Sequence, residues 1–205
     1  MPLFILLAIL LASYQFYYSQ PFFEGEPVVH GLGQVAPYTP DQYPLDEGIL
    51  PFQHNGFKIT PLEKFEVTAR VLNRHDYAPP FLIFGDLIDD LSPVDLALGW
   101  QEMSDERYLD QIEITQSNRW YKWWVEDFPI PRRKIEINSA NMHFVPASSI
   151  IEEKIKQVVK GNIVSFKGYL IKIEKGSWNW TSSLTRDDTG ARACETIWVE
   201  EFKIL

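Results

Sequence analysis

Cys194 and His143 are the two side chains whose types could combine into a nucleophilic pair. A thiol attacks as the thiolate, and an imidazole is the usual base that generates it. Asn138 or Asn141 could orient that ring. The local pattern gives the pair little support. Cys194 opens the strand-like run Cys194 to Ile204 rather than a helix amino terminus, and a free cysteine usually packs as a small hydrophobe. The thiol is therefore read as structural. A cysteine-dependent hydrolase or transferase, with Cys194 as nucleophile and His143 as base, is the alternative.

Metal chemistry has less to stand on. His30, His54, His75 and His143 are scattered, with no His-x-x-x-His spacing. Asp86, Asp89 and Asp90 cluster without the glycine and glutamate of a calcium loop. Asp187-Asp188-Thr189-Gly190 has turn chemistry, the carboxylates capping amides and the glycine supplying positive φ. No phosphate-binding loop, nucleophile elbow or dinucleotide fingerprint is present. Neither a metal nor a cofactor is expected.

Aromatic residues carry the stronger signal. Five of the seven tryptophans fall in two strand-like runs, Trp120, Trp123 and Trp124 in one and Trp178 and Trp180 in the other. Side chains alternate along a strand, so Trp178 and Trp180 share a face, as do Trp120 and Trp124, while Trp123 points the other way beside Tyr121. Rings on both faces of one strand cannot easily all enter a single core. Part of this set is a candidate groove for a sugar, a peptide or a protein partner, the plainer reading being a large aromatic core. Arg186, Asp187 and Arg192 form a charged loop that reads, with Glu195, as an ion-pair network or as a polar recognition site.

The elements that would position these residues are short. Phe65 to Leu72 alternates as a half-buried strand does. Asp76 to Asp90 reads as a loop carrying the apolar patch Phe81-Leu82-Ile83-Phe84, and Ser92-Pro93-Val94-Asp95 as a helix start, the helix running to Gln101. Ser104 opens a further helical turn through Leu109. Ile112–Gln116 and Arg119–Val125 read as a hairpin joined at Ser117-Asn118, and Ile135–Val145 as another extended run. Ser148 or Ser149 caps a helix that Gly161 closes. Three strand-like runs follow, Ile163–Glu174, Trp178–Leu184 and Cys194–Ile204, with Gly168 at a bend. The expectation is an α+β domain over 58–205 with a mostly antiparallel sheet, in its finer form a small OB-like barrel, and two or three short helices.

Residues 1–23 carry no charged side chain, and Leu3 to Ala12 is continuously apolar. Such a run reads as a membrane anchor, a cleaved signal segment being the alternative. Over 24–57 six of the 14 prolines mark a Pro- and Gly-rich acidic linker (one of them, Pro21, just before it). From Lys58 onward the chain has 23 acidic and 19 basic side chains. With 28 acids against 19 bases overall, no nucleic-acid partner is expected. With one cysteine, an intramolecular disulfide is excluded.

Three strings, Leu91-Ser-Pro-Val-Asp-Leu-Ala-Leu-Gly-Trp100, Ser139-Ala-Asn-Met-His-Phe-Val-Pro-Ala147 and Ser182-Ser-Leu-Thr-Arg-Asp-Asp-Thr-Gly190 leading into Ala193-Cys-Glu195, resemble an uncharacterised group of bacterial envelope proteins with one N-terminal hydrophobic segment. The resemblance covers roughly residues 57–202. It implies a bacterial envelope protein and assigns no activity and no site residues; the acidic flank Glu24, Glu26 and Asp41 after the apolar run, with no basic residue before Lys58, places the domain on the periplasmic side of the cytoplasmic membrane. The function expected is that of a non-catalytic binding module. A structural subunit of a membrane assembly is a further alternative.

Overall fold

The computed structural model describes residues 25–77, 88–185, 187–190 and 193–205. Among these residues ten strands run in chain order as β1 (Asp41–Tyr43), β2 (Phe52–His54), β3 (Phe57–Asp76), β4 (Val94–Gly99), β5 (Glu113–Ser117), β6 (Trp120–Trp124), β7 (Ser139–Pro146), β8 (Ile163–Lys175), β9 (Trp178–Thr181) and β10 (Glu195–Ile204). A 3₁₀ turn (Gln101–Ser104) and three helices, α1 (Glu106–Leu109), α2 (Arg132–Ile137) and α3 (Ser149–Lys156), interrupt them. The architecture is the expected α+β, a mixed and mostly antiparallel sheet with short helices.

Five pairings return on themselves. β3 pairs with β4, β4 with β7, β7 with β10, β10 with β8, and β8 again with β3; only β7 and β10 run parallel. Inside this ring lie Phe65, Val67, Leu96, Leu98, Met142 and Phe144, joined by Phe166, Leu170, Ile197 and Phe202. β-bulges keep the alternation in phase with the interior. β3 slips against β8 between Pro61 and Glu63, and the slip turns its odd-numbered residues from an outer cluster around Phe57 and Ile59 into the ring at Phe65, Val67 and Ala69. β10 slips between Val199 and Glu201, so that Val199 and Phe202 both point inward. Gly168 is where strands come too close for a side chain, since a Cβ there would lie 1.8 Å from the Trp198 carbonyl oxygen.

α3 plugs the ring with Ile151 and Ile155, and Val158 follows them in. Ser148 caps it as the sequence indicates, accepting from the Ile151 N–H at 3.4 Å. The helix ends at Lys156, and Gly161 serves instead as a positive-φ turn residue before β8.

Two readings are corrected. Ser92-Pro93-Val94-Asp95 does not start a helix, because Val94–Gly99 is a strand. Val94, Leu96 and Leu98 fill the ring while Asp95 and Ala97 face outward, and pairing on both edges outweighs a local capping signal. Ile135 to Val145 is not extended throughout either. Pro131 leads into α2, which buries Ile135 before β7 begins at Ser139.

The Pro- and Gly-rich segment is laid along the domain. β1 and β2 both pair with β3, the Val28 N–H donates to the Lys160 carbonyl at 2.9 Å, and the Gln101 N–H donates to the Ala36 carbonyl at 2.8 Å. Residues 1–23 and the patch Phe81 to Phe84 lie outside the described residues; among those described, no helix is long and apolar enough to cross a membrane.

Candidate functional site

The expected hairpin forms, and it lies over the outer face of β4 and β7. Its two-residue turn is Asn118-Arg119, with φ of 52° and 66°, a geometry that normally favours glycine. Arg119 occupies it because its side chain is fixed from below. Nη1 donates to Asp95 Oδ1 at 2.7 Å, and Nη2 donates to Asp89 Oδ1 at 2.6 Å and to the Ser92 carbonyl at 2.8 Å. The guanidinium also stacks 3.4 Å from the Tyr77 ring centroid. Tyr77 donates its hydroxyl proton to Asp95 Oδ2 at 2.8 Å and accepts the Arg119 N–H at 2.8 Å.

His143 belongs to the same cluster. It is 1% exposed, stands opposite Asp95 in the β4–β7 ladder, and places Nδ1 2.8 Å from Asp95 Oδ1. Its other side is filled by Trp180, ring centroids 4.5 Å apart. Burial pushes the Asp95 carboxyl up, but His143, Arg119 and the Tyr77 hydroxyl outweigh it and hold the group below its ordinary value. The carboxylate is the buried anion on which the cluster is built.

Cys194 immediately precedes β10, level with Asn141, because the parallel register sets Glu195 against Met142 and Thr196 against His143. Cys194 and His143 are thus on neighbouring strands but one side-chain repeat apart. The thiol faces the Arg119 carbonyl at 4.0 Å and the Asn141 side chain. Burial, followed by the charges of Glu195 and Asp95, pushes the thiol up to about 12. Such a thiol stays protonated at neutral pH and is a poor nucleophile.

Beside the cluster opens a cleft of about 640 Å³. β6 forms one wall; α2, the start of β7 and the chain around Asp188 to Gly190 and Cys194 form the others. Its rim carries Trp120 (48% exposed), Trp124 (61%) and Phe128 (53%). Trp123 points the opposite way, as alternation requires, and packs with Tyr121 against Leu72, Ile112 and Ile135. Its ring is 6.1 Å from Phe128, and the Arg132 guanidinium stands 5.8 Å above it. Trp178 and Trp180 do share a face, their rings 6.5 Å apart, but they lie on Phe57 and His143 and not on the cleft. Asp187 is exposed and pairs with Arg133 at 3.3 Å, whereas Arg186 and Arg192 lie outside the described residues.

The aromatic candidates therefore divide: Trp120, Trp123 and Trp124 border the cleft, Trp180 covers the buried polar cluster at His143, and Trp178 lies half-exposed on Phe57. The sequence offers Asp89 only as part of a rejected calcium cluster and Asp95 only as a helix-start carboxylate, and it gives Arg119 and Tyr77 no site role. An arginine following Asn118, where a tight hairpin favours glycine, is the signal that marks one of them. Among the described residues no group of three or more His, Cys, Asp or Glu could hold a metal ion. No protein-family model, curated protein or solved structure matches the chain.

Proposed function

We propose that the protein is a non-catalytic binding module of the bacterial envelope, tethered by residues 1–23, whose ligand site is the cleft beside β6. The supporting observation is the exposure of three large aromatic rings, Trp120, Trp124 and Phe128, on the rim of one concavity. Half-exposed aromatics around a cavity are characteristic of recognition surfaces, because each buries a large area at little entropic cost. The raised Cys194 thiol supports binding over cysteine catalysis.

The barrel, in this proposal, is of the OB type. Five strands close with one parallel pair, and a helix lies between the third and fourth of them. OB barrels present ligands on the face of their second and third strands, here β4 and β7. In this chain that face is covered by the β5–β6 hairpin and by Arg119. The hairpin moves the open surface outward to its own flank.

The test is a binding screen of the full chain in detergent micelles against immobilised chito-oligosaccharides and a peptide array, alongside Trp124→Ala. The variant is expected to lose binding at least about tenfold, with stability changed by less than about 0.5 kcal/mol in urea melts, as befits an exposed side chain. If Trp124→Ala binds like the parent chain, the cleft is not the site.

A further inference from the structure

β6 is paired on one edge only. β5 takes that edge, and among the described residues no strand takes the other. Pairing starts at the two-residue turn with Ser117 opposite Trp120 and continues through Thr115–Lys122 and Glu113–Trp124. In such a hairpin the pair flanking the turn exchanges both hydrogen bonds, and bonded pairs alternate from there. The N–H and C=O of Tyr121 and Trp123 therefore point away from β5. Every residue from Trp120 through Val125, odd and even, borders the cleft. A strand shows both of its faces to one space where its edge opens into that space. These main-chain groups thus face the cleft, and among the described residues no turn or loop backbone bonds them.

The exposed face beside the free edge reads Trp120, Lys122, Trp124. Glu136 across the cleft is already paired with Arg132 at 2.8 Å and Arg133 at 3.5 Å, and Asp188 accepts from the Ser183 hydroxyl at 2.6 Å. Lys122 makes no ion pair among the described residues and is the one charged side chain on the exposed face of β6 itself. A second copy of β6 fits poorly. Antiparallel self-pairing through Tyr121 and Trp123 would centre on Lys122 and set it against its own copy, a like-charge pair of the kind that protects strand edges.

Building on the cleft as the binding site, we infer that it takes an extended peptide as a third strand on the free edge of β6, bonded to the main chain of Tyr121 and Trp123, with an acidic residue facing Lys122 and apolar residues two positions to either side against Trp120 and Trp124. Main-chain pairing supplies the affinity and the alternating side chains supply the selectivity.

The probe is a fluorescein-labelled, end-blocked heptapeptide, Thr-Ile-Thr-Glu-Thr-Ile-Thr, titrated by anisotropy into the full chain in micelles. Two further versions are N-methylated, one on the threonines flanking the glutamate and one on the glutamate itself. Saturable binding is expected, weakened at least about tenfold by methylating the two threonines, since each lost main-chain bond is worth about 1 kcal/mol. Methylating the glutamate amide, which faces away, changes it less than about threefold. Lys122→Glu weakens binding, and a peptide with lysine at the centre restores it. Equal binding by all versions, or none by the parent peptide, overturns strand addition. The same chain titrated with a labelled chito-oligosaccharide separates the two readings. If the sugar binds and Trp124→Ala abolishes it, the cleft stands as the site and only the peptide inference falls.

Discussion

Cys194 illustrates how one residue's surroundings decide its chemistry. The thiol lies against a carbonyl and an amide side chain and near the carboxylates of Glu195, Asp95 and Asp188, and among the described residues no cation is found to hold it as thiolate. Its pKa is raised, so the folded state keeps the proton while the unfolded chain releases it above roughly pH 8.5. The stability this contributes is complete below that pH and is lost as pH rises toward about 12. Between roughly pH 8.5 and 10, before tyrosines titrate, urea melts should lose up to about 1.4 kcal/mol per pH unit from this group. Cys194→Ala should flatten that slope, and native Cys194 should react with maleimide at pH 7 far more slowly than after denaturation. A parallel slope in the variant, or fast native labelling, would show an accessible low-pKa thiol. The sequence, where Cys194 opens a strand-like run, suggests a structural thiol but not the charges around it; the anion beneath it, Asp95, is set by strands that meet only in the folded chain.

At the scale of elements, legibility followed how local the cause was. The hairpin, the Ser148 cap and the strand Ile163–Lys175 rest on turn chemistry and alternation within a few residues, and each was readable. β4 departs from the sequence expectation because Ser-Pro-x-Asp is a sound local helix signal that the sheet overrides by pairing both edges of Val94–Gly99. The tryptophan alternation was legible, but its partition into cleft and polar cluster depends on where the hairpin lands. Arg119 fixes that landing. Arg119→Ala leaves Asp95 and Asp89 with a lost cation beneath the turn, and breaking a buried pair costs about 3 kcal/mol or more. Amide exchange in β5 and β6 should then quicken well ahead of exchange in β3 and β8. Uniform acceleration across the chain would mean that the hairpin and the main sheet open as one unit.

The closure of the whole molecule depends on close backbone approach. Gly168 lies where β8 meets β3 and β10, opposite Phe65 and Val199, and a methyl there would collide with the Trp198 carbonyl oxygen. Gly168→Ala must move main chain and not merely a side chain. A loss of about 3 kcal/mol in urea melts is expected; a change under about 0.5 kcal/mol would mean that the strands are not held that tightly.

The ring of pairings also fixes an order of events. β3 ends at Asp76, yet its second neighbour, β8, begins only at Ile163, and β10, which seals β7 to β8, is the last of the described strands. A chain delivered from its amino end, whether from a ribosome or across a membrane, therefore holds twenty residues of β3 with one edge bare while the next hundred or so arrive. Only when β8 and β10 emerge can the ring of pairings shut, so this domain cannot complete its fold before Glu195–Ile204 is delivered, and a holding partner in that interval has an unpaired strand to grip.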